Sequence, residues 1–118
     1  MRFARALAAH LPGPPAVLAV LGSRGLAEAL ERLGFSVEEH PADDATGIVV
    51  AFCPGDAALD AAARLVRDAG LLVVVDRGVF GPRPEARTFA LASRGFVEVR
   101  QARAGRARLT TGLRLRVL

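Results

Sequence analysis

Lysine, asparagine, tyrosine and tryptophan are absent, and all sixteen basic residues are arginine. That bias, with abundant alanine, is what GC-rich coding imposes on any protein surface. The formal net charge of +4 is modest, so nucleic acid is not expected as a partner. The single cysteine, Cys53, excludes an intrachain disulfide and fits a cytoplasmic chain. Six phenylalanines are the only aromatics, so the core must be mainly aliphatic. No apolar run approaches the ~18 residues of a spanning helix, and no membrane association is expected. The opening MRFARALAAHLPGPPA is basic and then apolar, as in a secretory leader. His10 and Pro12 cut the apolar stretch, which reads instead as a helix of the mature protein. The two histidines, His10 and His40, have no metal-ligand spacing with Cys53, so no metal site is expected.

What is present is a succession of apolar runs punctuated by glycine, enough for one domain over residues 1–118. Residues 2–11 carry Phe3, Leu7 and Leu11 at helical spacing, and Pro12-Gly13-Pro14-Pro15 ends that helix. Ala16 to Leu21 is wholly apolar and reads as a central strand. Gly22-Ser23-Arg24-Gly25 turns the chain into a helix with Leu26, Ala29, Leu30 and Leu33 inward and Glu28 and Arg32 paired outside. Gly34 sits where a left-handed cap is expected, before a short strand from Phe35 to Glu39. The run Gly47 to Asp76 then reads as strand, helix, strand. Ile48 to Phe52 is buried on both faces. Asp56 caps a helix that extends to Ala69 with Asp60 and Arg64 paired outside, and Gly70 precedes a strand from Leu71 to Val75. A Gly/Pro loop, a helix from Glu85 to Arg94, and strands from Phe96 to Arg103 and Ala107 to Leu118 complete the chain. The last strand alternates, with Leu109, Thr111, Leu113, Leu115 and Val117 on one face and Arg108, Thr110, Arg114 and Arg116 on the other.

Three stretches carry a family resemblance. AVLAVLGSRGLAEALERLGFSVE resembles the cofactor loop and helix of class I S-adenosylmethionine-dependent methyltransferases. AALDAAARLVRDAGLLVVVDRG resembles their helix running through glycine into strand five, and RTFALASRGFVEV their last helix running into strand six. The resemblance implies a three-layer α/β, Rossmann-like sandwich with a six-stranded, mostly parallel sheet and an antiparallel C-terminal hairpin. The expected strand order is 2-1-3-4-6-5 in the order of this chain. The first two helices lie on one face and the last two on the other. It further implies S-adenosylmethionine as the cofactor if any is bound, with Gly22, Ser23, Gly25 and Glu38 as the binding residues.

Departures from the family pattern define the functional expectation. The acidic position of the first strand holds Ala19 or Val20, and of the alternating glycines only Gly22 and Gly25 remain. Between strand two and the next strand the family inserts a helix, a strand and a helix. Here there are only the residues from His40 to Thr46, which span roughly 23 Å when extended. Glu38 or Glu39 stands where ribose hydroxyls are bound in the family, yet two adjacent glutamates also keep an edge strand from pairing. Ser23 is a helix cap or a ligand contact, and Arg24 strengthens an anion site or simply follows a tight turn. Cys53-Pro54 falls where the family keeps a catalytic motif, but without its Asn or Asp and its aromatic. Asp43-Asp44 reads as turn chemistry and Asp76 as a carboxylate without a partner. The hairpin arginines Arg100, Arg103, Arg106, Arg108, Arg114 and Arg116 read as a solvated face. No catalytic residue is therefore assigned. The expectation is a degenerate methyltransferase-like domain acting as an interaction or scaffold module. The alternatives are an S-adenosylmethionine- or nucleotide-binding protein, or a methyltransferase completed by a partner subunit. Trimming the third strand is expected to leave apolar surface near Leu30, Leu33 and Phe35, covered in a homodimer or by another protein partner.

Overall fold

A computed structural model describes residues 2–78 and 81–115. The first helix, α1 (Arg2–Ala8), is followed by β1 (Val17–Leu21), α2 (Arg24–Arg32) and β2 (Ser36–Glu38). Then come β3 (Thr46–Phe52), α3 (Asp56–Leu65) and β4 (Val66–Asp76), and finally α4 (Pro84–Ala92), β5 (Phe96–Ala104) and β6 (Ala107–Arg114). The six strands form one sheet in the order β2-β1-β3-β4-β6-β5, as the sequence predicts. The β1–β2, β1–β3 and β3–β4 pairs are parallel, and β6 runs antiparallel to both β4 and β5.

Apolar side chains fill both faces of the sheet, because the central parallel strands carry continuous apolar runs. On one face Leu7 of α1 and Leu26 and Leu30 of α2 pack with Leu18, Val50, Val73 and Leu109. On the other, Leu59 and Ala62 of α3 and Leu91 of α4 pack with Val49, Leu72, Val74 and Phe96. Val20, expected in the core, is only half-buried. It stands one residue before the end of β1 and lines the cleft beside α2.

Helix ends follow from specific residues. Ser23 accepts a hydrogen bond from the Leu26 amide at 3.1 Å and caps α2. At the other end Gly34 has φ +101°, and the Phe35 and Gly34 amides donate to the Leu30 and Glu31 carbonyls. That 6→1 and 5→2 pair leaves Leu30 and Phe35 in contact range within the same core. Both are thus buried by the chain itself, and Leu33 is half-buried. The apolar surface expected around these residues is therefore largely closed.

Other expectations are corrected by the structure. Gly55 holds the cap position of α3, and Asp56 is the first helical residue. The helix ends at Leu65, earlier than expected, because Val66 is drawn into the core with no exposure while Arg67 and Asp68 must face water. The strand β4 begins at Val66 and loops out before regaining register, since Val66 opposes Thr46 but Leu71 opposes Ile48. Ala69 takes φ +61° in that excursion, and a Cβ on Gly70 would lie 2.8 Å from both the Arg67 oxygen and a Val66 methyl. Arg114 donates to the Ala63 and Val66 carbonyls, covering the end of α3 with a cation. Asp60 pairs with Arg94 at 2.7 Å rather than with Arg64. Likewise, no Glu28–Arg32 ion pair occurs among the described residues.

The alternation of the last strand sets its two faces but does not divide buried from exposed residues. β6 lies between β4 and β5 and is covered on both faces, so Thr110 and Gly112 are buried along with Leu109. Arg116, Val117 and Leu118 lie outside the described residues. β5 is the edge strand, and its register shifts between Val97 and Arg100, with Glu98 at φ +51°. A bulge of this kind blunts an edge against pairing with another sheet.

Candidate functional site

The carboxyl ends of the parallel strands converge on one edge of the sheet, where open α/β folds gather ligand-binding groups. At the end of β1, Gly22 has φ +92°, and a Cβ there would lie 2.6 Å from the Phe52 carbonyl oxygen. Glycine is therefore demanded by the neighbouring strand, whatever binds above it. Gly25 differs: its φ is not positive, and a Cβ would meet no atom within 4 Å. The fold gives no reason for glycine at that position. Glu38 closes β2, exposed and in register with Ala19 of β1.

Gly22, Ser23 and Glu38 come together around a cleft of about 640 Å³, with Arg24, Glu39 and His40. Gly25 stands outside its lining. The walls are chiefly charged, because Glu28 and Glu31 of α2 also face it. Ser23 Oγ is already engaged as the cap of α2.

The loop after β3 is held more tightly than the sequence suggests. Cys53 is exposed and has φ +46°. Its amide donates to the Val75 carbonyl at 2.7 Å, prolonging the β3–β4 ladder. The buried Pro54 follows, and its carbonyl accepts a 2.9 Å hydrogen bond from Arg87 Nη2. The same guanidinium grips Asp76 in a two-point contact, Nε to Oδ2 and Nη2 to Oδ1, both at 2.9 Å. Side-chain exposures of 7% for Arg87 and 6% for Asp76 make this an interior ion pair. Asp76, read as unpartnered, thus ties together the ends of β3 and β4 and helix α4. Sequence reasoning missed Arg87. The available signal was its place one turn before the buried Leu91, where an exposed arginine would not be expected.

The remaining candidates have structural duties. Asp44 takes φ +57° and its amide donates to the Arg64 carbonyl at 2.8 Å, consistent with turn chemistry. Nε2 of His10 lies 3.0 Å from the Arg103 carbonyl oxygen and ties the end of the first helical segment to the hairpin. Among the described residues no cluster of three metal-ligating side chains occurs. The hairpin arginines are not one uniform solvated face. Arg114 reaches α3, while Arg108 donates to the Pro82 carbonyl at 2.8 Å.

No protein-family model matches the sequence, and no curated protein matches it. Solved structures do. A T. thermophilus 16S rRNA methyltransferase in complex with AdoMet and guanosine is similar at TM-score 0.63 and 18% identity. The match covers 97% of this chain but only 39% of that one. The candidate methyltransferase in a Haloferax volcanii complex with a methyltransferase activator is similar at TM-score 0.70 and 12% identity, over 98% of this chain and 90% of that one. A SAM-dependent methyltransferase from Thermotoga maritima is similar at TM-score 0.61 and 15% identity, over 96% and 88% of the two chains. At these identities the likeness is one of fold: this chain has the Rossmann-like fold of class I methyltransferases.

Proposed function

We propose that this domain is a methyltransferase-fold module that works by binding, without transferring a methyl group on its own. The observation that carries this reading is the engagement of the edge where transfer would take place. Asp76 and the Pro54 carbonyl are both held by Arg87, and Ser23 is held by the start of α2. Groups fixed in structural contacts are poor candidates to accept or deliver a proton at a reacting atom.

S-adenosylmethionine is the cofactor that the fold implies, and the Gly22–Glu38 cleft suits only part of it. Glu38, at the rim of the cleft, can accept hydrogen bonds from ribose hydroxyls. The base has no comparable seat. β2 ends at Glu38 and the chain returns to β3 with no further strand or helix beyond it. Four glutamates line the cleft, and among the described residues its apolar lining is Val20, Ala27 and Val37. The residues present do not fit the whole cofactor, and no transfer step is drawn through them.

Calorimetry on the full chain tests this. S-adenosylmethionine is expected to bind no more tightly than about 1 mM, a free energy near −4 kcal/mol. Micromolar affinity would overturn the reading and favour a methyltransferase completed by a partner. The structural likeness to the protein in the Haloferax volcanii activator complex is the observation on that side.

An interaction role is supported by Phe89, which stands 73% exposed on α4 beside Pro84, Thr88 and Ala92. A protein partner or a second copy of the chain belongs to the same proposal. Light scattering at tens of micromolar is expected to report the mass of two chains, and the mass of one chain would remove the homodimer from it.

A further inference from the structure

A second cleft, of about 520 Å³, opens on the same edge between the end of β4, the chain that follows it and the tip of the β5–β6 hairpin. Arg77, Arg103, Arg106 and Arg108 line it, with Gly78 and Gly81. We propose that this cleft binds a small phosphorylated molecule through its phosphate or diphosphate group. The site is independent of whether the Gly22 cleft takes a methyl donor.

The charge balance is the first argument. Among the described residues the one carboxylate at the cleft is Asp76, and both of its oxygens are taken by Arg87. None of the four lining arginines has an ion pair among the described residues. Elsewhere in the chain Arg87, Arg94 and Arg114 do find carboxylates. Bringing guanidinium groups together without counter-charge is unfavourable, and an anion relieves it.

Preorganisation is the second argument. The Arg77 guanidinium lies over the Phe3 ring, 5.0 Å from its centroid, so its face is occupied while its edge donors remain available. Arg108 is steadied by its 2.8 Å bond to the Pro82 carbonyl. The Arg103 backbone is tethered by the contact of its carbonyl with His10. The Arg77 and Arg108 guanidinium groups, steadied in this way, suit the two-point recognition of phosphate oxygens.

Size and lining select a small molecule over nucleic acid. The volume falls within the range of ordinary small-ligand pockets, about 300–1,000 Å³. Among the described residues no aromatic ring lines the cleft to stack a base, and the nearby Phe3 ring already carries Arg77.

Pyrophosphate is the probe, titrated calorimetrically into the full chain at low salt, with inorganic phosphate and a single-stranded oligonucleotide as further arms. Saturable one-to-one binding of pyrophosphate is expected, tighter than inorganic phosphate. Arg103→Ala and Arg106→Ala should each weaken it by about tenfold, as loss of a charged hydrogen-bond donor does. Arg106→Lys keeps the charge but loses the fork, and should fall between wild type and Arg106→Ala. Arg32→Ala, in the last turn of α2 and outside the cleft lining, should change nothing. Circular dichroism on each variant confirms that the exposed substitutions leave the fold intact. Three results would each overturn the proposal. They are no saturable binding at 10 mM pyrophosphate, equal losses in Arg32→Ala and Arg106→Ala, and oligonucleotide affinity that exceeds pyrophosphate and grows with length.

Discussion

Arg87→Ala is expected to cost about 3–5 kcal/mol, because it leaves the Asp76 carboxylate in the interior without its partner. The carboxyl is almost fully enclosed, and the Arg87 guanidinium also satisfies the Pro54 carbonyl. Three backbone regions, the ends of β3 and β4 and the first turns of α4, meet at that one side chain. Against a total stability of about 5–15 kcal/mol, the loss is large. Thermal denaturation should show a melting point lower by on the order of 10 °C or more. Arg87→Met combined with Asp76→Leu should cost less than Arg87→Ala alone, because the pair is removed with its charge. Equal melting of Arg87→Ala and wild type would mean that the ion pair is not formed.

The second large effect lies in the sheet. Leu72 is fully buried between α3 and the centre of β4, opposite Val49 on one side and Gly112 on the other. Neighbouring strands on both sides prevent the backbone from closing the gap, so Leu72→Ala should cost about 2–5 kcal/mol. Val17→Ala, at a position 46% exposed, should stay within about 0.5 kcal/mol. Chemical denaturation of the two variants side by side separates the cases. If Leu72→Ala unfolds with Val17→Ala, the core is not where the sheet places it.

The strands were legible because their signals are local, and their order followed from the family resemblance and right-handed crossovers. Apolar runs such as Ile48 to Phe52 and Leu71 to Val75 announce strands covered on both faces. Gly34 and Gly95 mark helix ends by their left-handed backbone. What escaped was decided by distant residues. The end of α3 depends on how deeply Val66 is drawn in and on Arg114 reaching its carbonyls from another strand. β6 alternates apolar and polar residues, yet α4 packs over its polar face and Thr110 is buried as well. Asp76 looked solitary because its partner lies on α4, beyond a loop. Of the candidate site, the chain brings Gly22, Ser23 and Glu38 to one cleft, whereas the arginine cleft draws on β4 and the hairpin together. No spacing in a linear sequence displays that convergence.

The central claim is that this methyltransferase fold binds without serving a methyl donor. Nuclear magnetic resonance of the isotope-labelled chain, titrated with S-adenosylmethionine to about 1 mM, tests it at the residues concerned. The expected result is no saturating shift of the Gly22, Gly25 and Glu38 amides across that range. Saturation of those three amides at micromolar ligand would contradict the claim.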